Sequence, residues 1–394
     1  MGSGRLKAGS LVTTVALLAL ALTPVAHQAF ARPAADAKQV FAKVGGGDVT
    51  PACALTDPYP EFNSVAVDPA NNVVVMTDTN LHSLLVYDRR AGGLSPDITA
   101  PRGQIMGPAT YLSFATGVSL DPVAHEIYAT ENDIGDDVAA LPYTANGNYP
   151  SRALAAPHGV YGVAVNLKRK ELAISVEHNA QIVVYRLGAK GAELPRREIR
   201  GPHTQMADPH GLYWDAGHGE IVVANFGNWS PGYWDPDYTG GGQYRPPSIT
   251  VFADNAKGDA QPLRVIQGSK TQLNWPTAVA LDTVHDLIVV SNAAGDSVLF
   301  FHRTDHGNVA PVRVLKGPAT GIAHPLGVAV DNKNGELWVT SFGHTASVFR
   351  LGASGNVAPI RIVRNAPKGT PVSGFGNPMA IAFDSKRQEL LVPN

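Results

Sequence analysis

Short apolar runs alternate with polar turns along most of the chain. The run Pro325–Asp331 is followed by the polar residues 332–335 and then by a second apolar run at 336–340. An Asn-Gly pair between two such runs is a strong hairpin signal, because both turn residues must tolerate positive φ. This stretch therefore predicts two antiparallel strands joined by a tight turn.

The same strand–turn–strand pattern returns along the chain, at intervals of 45 to 67 residues. Most units carry two further apolar runs, and Pro opens the fourth run in several of them. Proline cannot donate to a strand ladder, so this position suits an outer edge strand. Repeats of this length made only of strands predict the blades of an all-β β-propeller. The first strands of the repeats end at Asp68, Asp121, Asn166, Asp215, Asp282, Asp331 and Asp384.

The last unit supplies only two strands before the chain ends at Asn394. A closed ring must not leave an open sheet edge. We therefore expect residues 39–55 to supply the two missing strands. The prediction is a seven-bladed β-propeller in which N-terminal strands complete the C-terminal blade, forming one domain over residues 32–394. Six blades with a partial overlap is the alternative.

The repeat motif also resembles that of a known family. Pro-x-Gly-Val-Ala-Val-Asp, then Gly-Glu-Leu-Trp-Val-Thr, then Ser-Val-Phe is similar to the NHL and YVTN-type repeats of exported bacterial β-propellers. The resemblance extends from residue 62 to the end of the chain and implies the architecture. It implies no single activity, since such propellers include binding modules, scaffolds, lactonases and lyases.

The N-terminus is typical of a secretory signal peptide over residues 1–31. Arg5 and Lys7 precede an apolar stretch at 11–22, and an Ala-x-Ala cleavage site ends at Ala31. We expect a secreted or periplasmic protein with no later transmembrane segment. Cys53 is the single cysteine, so no internal disulfide can form. The net charge of −2, without a basic patch, argues against a nucleic-acid partner.

In a propeller, the loops before the first strand and after the second strand of each blade share the top face around the central channel. The spacing predicts that the residue five positions before the end of each first strand faces the channel. Together these side chains form a ring. Its members are Asn63, Thr116, Tyr161, His210, Thr277, Leu326 and Met379. We expect Tyr161 to contact a ligand there.

The segment 209–212 is locally similar to the metal-binding positions of amidating lyases, which resemble this architecture and hold a metal near the channel through histidines of several blades. The resemblance implies a divalent metal, Zn²⁺ or Ca²⁺, at His210 with help from the upstream His158. Glu131 and Asp133 belong to an acidic loop at 130–137, and carboxylates suit a hard cation such as Ca²⁺. The alternatives are a His210 that lines the channel and bonds to a backbone carbonyl, and a solvated acidic loop.

A second ring is expected where the second strands end: Asp78, Glu131, Glu177, Asn225, Asn292, Ser341 and Asn394. Carboxylates close to a histidine can perform general acid–base chemistry, which makes His210, Glu131 and Glu177 the candidate catalytic residues. The alternative is that such residues end strands because they favour turns.

The longest interval between repeats contains an insertion at 229–247 that is rich in aromatic residues. A long top-face loop of this kind suits a lid or a stacking platform for a sugar or an apolar peptide. The alternative is that its rings pack on neighbouring loops. The candidate ligand-binding residues of the insertion are Trp229, Tyr233, Trp234, Asp235 and Tyr238.

Two functions remain open. The first is a binding or scaffold propeller that holds a small molecule or a protein with its top face and the 229–247 loop. The second is a metal-dependent lyase or lactonase that acts at the central channel, with His210 on the metal and Glu131 or Glu177 as acid or base. The incomplete set of histidines favours the first.

Overall fold

Six four-stranded antiparallel sheets form the fold in a computed structural model of the protein. The structure describes residues 58–132, 135–147, 149–230, 243–370, 382–386 and 389–391. Within each sheet, strand order follows chain order, with one short hairpin inserted in the fourth sheet. The predicted all-β propeller architecture is confirmed.

The strands of each blade run from the channel to the outer edge. Blade 1 contains β1 (Phe62–Asp68), β2 (Val73–Asp78), β3 (Ser83–Asp88) and β4 (Gly103–Met106), and blade 2 contains β5 (Ala115–Asp121), β6 (Glu126–Glu131), β7 (Asp137–Pro142) and β8 (Arg152–Ala155). Blade 3 contains β9 (Val160–Asn166), β10 (Glu171–Val176), β11 (Gln181–Arg186) and β12 (Arg197–Ile199).

Blade 4 contains β13 (Pro209–Asp215), β14 (Glu220–Asn225), β17 (Ser248–Ala253) and β18 (Arg264–Gln267), and the inserted hairpin is β15 (Asn228–Ser230) with β16 (Gln243–Arg245). Blade 5 contains β19 (Pro276–Asp282), β20 (Leu287–Asn292), β21 (Ser297–His302) and β22 (Arg313–Lys316). Blade 6 contains β23 (Pro325–Asp331), β24 (Glu336–Ser341), β25 (Thr345–Arg350) and β26 (Arg361–Arg364), and a separate pair follows, β27 (Ala382–Asp384) with β28 (Glu389–Leu391).

Each blade buries both of its faces against its neighbours. In β2, Val73 and Val75 belong to the hydrophobic cluster shared with blade 2, whereas Val74 and Met76 belong to the cluster shared with blade 6. Successive side chains of a strand point to opposite faces. The middle strands therefore form continuous apolar runs in the sequence, because both of their faces lie in a core.

The ring closes with six blades, so the prediction of seven is wrong and its six-blade alternative is correct. The inner strand β1 contacts β5 on one side and β23 on the other, which completes the circle of inner strands. At this seam Phe62 and Tyr87 pack with Trp338 and Val348 in one buried cluster. The amide of Phe62 also donates to the carbonyl of Gly343 at 2.9 Å.

The prediction that N-terminal strands complete the C-terminal blade was based on the last repeat unit, which supplies only two strands. Blade 6 is complete from its own four strands, and β27 pairs with β28 in a separate two-stranded sheet. Residues 39–55, expected to complete a seventh blade, lie outside the described residues. A blade shared between the two chain ends is not needed to remove the open edge, because a hydrophobic seam between two complete blades closes this ring.

An interblade latch, formed by the loop between the third and fourth strands of a blade, covers the outer edge of the preceding blade. In blade 4, Gly258 forms a β-bridge with Ile199, and the side chain of Asp259 accepts the amide of His203 at 2.7 Å. The sequence predicted that proline opens the fourth strand of several blades; Pro262, the proline of blade 4, lies in this loop instead, two residues before β18. The same parallel bridge pairs Gly191 with Leu154, Gly307 with Ile266 and Gly355 with Leu315. At the seam, an antiparallel bridge pairs Gly93 with Ile362.

Helical structure in the described part of the chain consists of short 3₁₀ turns. Most of them, such as Pro202–Thr204, connect one blade to the next, whereas Ala293–Gly295 lies between β20 and β21 within blade 5. None of these helices is long and apolar enough to cross a membrane.

Candidate functional site

The six inner strands surround a central cavity of about 340 Å³. Residues of all six strands line it, from Asn63 near the top to Pro69 at the bottom. The spacing of the sequence correctly placed Asn63, Thr116, Tyr161, Thr277 and Leu326 along this wall. Met379, the seventh member of the predicted ring, lies outside the described residues.

A bulge in each inner strand fixes the top of the channel. In β9 the amide of Gly162 donates to the hydroxyl of Ser175 at 2.8 Å, and that hydroxyl donates to the carbonyl of His210 in the next blade. The same bridge crosses the seam, where Thr340 donates to the carbonyl of Asn63 at 2.7 Å. The backbone beneath Tyr161 and His210 is therefore held by two blades at once.

Tyr161 reaches across the top of the channel from blade 3 to blade 1. Its hydroxyl donates to Oδ1 of Asn63 at 3.4 Å, and its ring lies 4.1 Å from the ring of His210, measured between centroids. Burial, together with the nearby carboxylate of Glu177, raises the pKa of the Tyr161 phenol. The phenol therefore stays protonated and acts as a hydrogen-bond donor.

His210 lies against two carboxylates at the border between blades 3 and 4. Its Nε2 is 3.6 Å from Oε2 of Glu177, and its Nδ1 is 3.6 Å from Oδ1 of Asp208. Nδ1 also lies 3.0 Å from the carbonyl oxygen of Asp208, which fits an N–H donor at that nitrogen. The backbone carbonyl contact proposed as an alternative for His210 is thus present, and the two carboxylates accompany it.

A row of stacked rings continues from His210 over blades 4 and 5. Phe226 stacks on His210 at 4.5 Å between centroids, with 16° between the ring planes, and Trp275 stacks on Phe226 at 4.9 Å. Trp275 is 45% exposed, whereas Phe226 is half-buried and His210 is buried. We call Tyr161, His210, Phe226 and Trp275 the aromatic row.

Asp208 and Trp275 occupy equivalent positions in their blades, each directly before the proline that opens an inner strand. Both have a left-handed backbone with φ of 55°. Their carbonyls accept the amides of Phe226 and Ala293, the residues that follow the second strands, at 2.9 and 3.0 Å. This geometry places side chains at the channel mouth from two loop positions that the strand pattern did not identify. In the sequence, these positions can be recognised as the residues directly before a proline that opens an inner strand.

The inserted hairpin leaves blade 4 directly after Phe226. In the hairpin, Trp229 pairs with Tyr244 across β15 and β16, and Arg245 donates to the carbonyl of Pro202 at 3.1 Å. Of the predicted ligand-binding residues in the insertion, only the backbone of Trp229 is described. Tyr233, Trp234, Asp235 and Tyr238 lie outside the described residues.

Glu131 is fully buried and holds the loop that enters β5. Its Oε2 accepts the amides of Ser113 and Phe114 at 2.5 and 2.7 Å, and the Ser113 hydroxyl at 2.9 Å. Burial, opposed by these hydrogen bonds and assisted by the charge of Asp137, raises the pKa of Glu131 to about 7. In the structure the carboxylate of Glu131 thus fixes the backbone of this loop. Its assignment as a catalytic or metal-binding residue stays a prediction.

His158 lies at an exposed position in the loop before β9. Its Nδ1 is 2.8 Å from Oδ1 of Asp136, and its ring stacks on that of His178 at 5.4 Å. Among the described residues, the group able to share one metal ion consists of Glu177, Asp208 and His210, so His158 does not join it. Asp133, the remaining predicted ligand, lies outside the described residues.

No protein-family description matches the chain, and no curated protein matches its sequence. Among solved structures, the Kuenenia stuttgartiensis hydrazine synthase is similar to it, with a TM-score of 0.50 and 11% identity over 77% of this chain and 99% of that chain. A chain of the nidogen/laminin complex has a TM-score of 0.47 and 14% identity, over 77% of this chain and 95% of that one.

At such low sequence identity, structural similarity shows a shared fold and nothing about function. The repeated four-stranded sheets, their closed inner ring and the likeness to the hydrazine synthase chain agree with one another. Together they identify this chain as a β-propeller protein.

Proposed function

We propose that the protein is a ligand-binding propeller that holds a small molecule at the top of its channel. The observation that carries this proposal is the aromatic row, whose most exposed ring, Trp275, stacks on Phe226. Tryptophan and tyrosine are enriched among the residues that carry most of the binding energy at interfaces. The stacked Phe226 holds the indole in place, so little conformational entropy is lost when a ligand packs on it.

The chemistry of the site favours a ligand that combines a ring with polar substituents. The indole face offers a flat apolar surface for an aromatic ring or for the apolar face of a sugar. The carboxylates of Glu177 and Asp208 lie at the other end of the row, beside His210. They accept hydrogen bonds from hydroxyl groups and attract a cationic substituent.

A binding screen tests the proposal. Full-length protein is applied to a glycan array, and a panel of aromatic amines and alcohols is screened by thermal shift. For any compound that binds, Trp275→Ala should weaken the affinity about tenfold, as expected for the loss of one stacked ring. Tyr149→Ala is the matched control, since Tyr149 is 72% exposed and lies outside the row. Equal affinities for the two variants would refute the proposed site.

The insertion after Phe226 is a second element to test. Replacing residues 231–242 with Asn-Gly keeps β15 paired with β16 through a two-residue turn. We expect weaker ligand binding if the rings of the insertion contribute, as the sequence suggested. Unchanged affinity would assign binding to the aromatic row alone.

A metal-dependent lyase or lactonase is the second candidate. One observation favours it, namely that His210 lies between two carboxylates at the channel mouth, where an acid or base and a metal would act together. Release of product from a panel of chromogenic lactones, abolished in Glu177→Gln, would support it. A panel that stays unreacted with metal-loaded protein would leave binding as the function.

We also infer that the protein is exported and that its repeats are of the NHL or YVTN type. The charged, apolar and Ala-x-Ala segments of residues 1–31 support export to the periplasm or beyond. Mass spectrometry of the protein from the periplasm or the medium should find a mature N-terminus near Arg32.

A further inference from the structure

Three side chains with metal-binding atoms meet at the border between blades 3 and 4. Glu177, Asp208 and His210 each offer one such atom within 4.8 Å of the other two. We propose that these three residues bind one divalent transition-metal cation, with Zn²⁺ as the best match. This set differs from the combination of His210 with His158, Glu131 and Asp133 that the sequence suggested.

The charges of the site call for a cation. Two carboxylates lie close together, and the side chains of Glu177 and Asp208 are only 13% and 21% exposed. At such depth water screens their repulsion less than it does on the open surface. A positive charge between them removes this repulsion, and a bound metal ion provides it while using the imidazole as a third ligand.

The backbone contact of His210 prepares the ring for this role. With the Nδ1 hydrogen donated to the carbonyl of Asp208, the lone pair of the neutral imidazole lies on Nε2. Nε2 is the nitrogen that faces the carboxylate of Glu177. Metal-binding histidines commonly fix their orientation by donating the second ring N–H to a carbonyl or a carboxylate.

The distances fit a small ion after a modest adjustment. Zn²⁺ binds nitrogen and oxygen at about 2.0–2.2 Å, which separates its ligand atoms by about 3.3–3.6 Å. The His210–Glu177 separation of 3.6 Å is already in this range. The carboxylate of Asp208 lies beside Nδ1 at present, and the ligand atoms lie within 4.8 Å of one another, so this carboxylate must turn towards Nε2 to join the other two.

The donor set discriminates between metals. Ca²⁺ takes six to eight oxygen ligands, whereas this site offers two carboxylates and one imidazole. Imidazole with carboxylates suits Zn²⁺ and its close substitute Co²⁺. Three protein ligands leave a fourth position open for water or for a polar group of a ligand on the aromatic row. That last role rests on the proposed function, but metal binding itself does not.

Metal binding to the chelator-treated full chain tests the proposal. Titration with ZnCl₂ in a calorimeter should show about one tight site per chain, and Co²⁺ should give the visible absorption of a low-coordinate cobalt site. Glu177→Gln, Asp208→Asn and His210→Ala should each weaken this site by tenfold or more. Asparagine tolerates the left-handed backbone at position 208, so this variant keeps the fold.

His285→Ala is the matched control. His285 also lies beside a carboxylate, with Nδ1 2.7 Å from Oδ2 of Asp282, but it belongs to a turn at the bottom of blade 5. The control should retain the tight site. Should His210→Ala unfold, as judged by circular dichroism, the isosteric Glu177→Gln and Asp208→Asn variants decide the result.

The absence of a tight site in the wild type, or equal Zn²⁺ affinity in wild type and all three variants, would overturn the metal proposal. The ligand-binding proposal stands apart from this result, since it depends on Trp275→Ala. If Zn²⁺ binds but no compound loses affinity in Trp275→Ala, the ligand-binding function is refuted and the metal site stands. If a compound loses affinity in Trp275→Ala but the wild type has no tight Zn²⁺ site, the ligand-binding function stands and the metal site is refuted.

Discussion

Gly162 shows how a single residue connects the fold to the site. A Cβ added there would lie 2.6 Å from the carbonyl oxygen of His210 and 3.0 Å from the Cα of Gly211. Both atoms belong to the backbone of the next blade, which is fixed by the Ser175 hydroxyl. Glycine is therefore needed here because two inner strands approach each other closely.

We predict that Gly162→Ala lowers the free energy of unfolding by about 1–3 kcal/mol, the usual cost of forcing an extra methyl group into packed backbone. The displaced blade should also move His210 and weaken Zn²⁺ binding. Gly103→Ala is the control, because nothing lies within 4 Å of the added Cβ. Denaturant unfolding of both variants measures the difference, and equal stabilities would contradict the close-approach argument.

Glu131 gives the protein a predictable response to pH. Its pKa is about 7 in the folded state and about 4.5 without burial. The folded protein therefore binds this proton more tightly than the unfolded chain does. The stability contributed by the protonated group is complete below about pH 4.5 and declines as the pH rises towards 7.

We predict that Glu131→Gln removes this decline. Relative to the wild type, the variant should gain up to about 3 kcal/mol of unfolding free energy between pH 4.5 and pH 7.5. Urea unfolding at several pH values measures the change, and the exposed Glu198→Gln serves as control. Parallel pH profiles for wild type and Glu131→Gln would show that burial does not raise this pKa.

The sequence predicted part of the site for a clear physical reason. Tyr161 follows from strand register, since a fixed offset from the strand end sets which residue faces the channel. His210 has the same offset but lies against Glu177 and Asp208 at the border between blades 3 and 4. Asp208, Phe226 and Trp275 lie just outside the strands, where register no longer determines direction. Their placement depends on the left-handed turn before the inner strand, which hydrophobic patterning does not report.

The interblade latch is the element that distinguishes these blades from isolated sheets. Outer strands such as β12 are only three residues long, and the latch of the next blade pairs with them. Asp259 strengthens this contact by accepting the amide of His203, in the 3₁₀ turn of blade 3. Asn308 and Asn356 do the same for Lys270 and Ala319, both at 2.7 Å.

We predict that Asp259→Ala lowers the free energy of unfolding by about 1 kcal/mol, as for the loss of a side-chain cap on a helical turn. Asp259→Asn should keep most of the stability, because asparagine makes the equivalent contact in two other blades. Thermal and urea unfolding of both variants test this. A destabilised asparagine variant would instead assign the effect to the carboxylate charge and its contact with the His203 ring.

For the whole molecule, the repeat predicted the kind of fold but not the number of blades. The two strands expected in the last repeat unit are present among the described residues as β27 (Ala382–Asp384) and β28 (Glu389–Leu391). A pattern of this kind identifies a strand without identifying its partner. Closure depends instead on the complementarity of blades 1 and 6, where Phe62 of β1 packs in the same cluster as Trp338 of β24.

A truncated chain tests whether the ring is complete with six blades. All six sheets, the seam cluster and the latch from Gly93 to Ile362 lie within residues 58–370. We predict that a chain of residues 58–370 folds as a monomer-sized β-protein with one cooperative unfolding transition. Size-exclusion chromatography, circular dichroism and thermal unfolding would establish this.

A shorter chain, residues 58–358, provides the control because it lacks β26. Its loss exposes the edge of β25 and removes Ile362, which anchors the latch of blade 1, and Val363, which is buried in the seam cluster. We expect this chain to aggregate or to unfold at a clearly lower temperature, since an open edge strand and an incomplete core replace the closed seam. If the 58–370 chain behaves equally poorly, segments outside it take part in closure, and a six-bladed ring alone does not account for the stability of the protein.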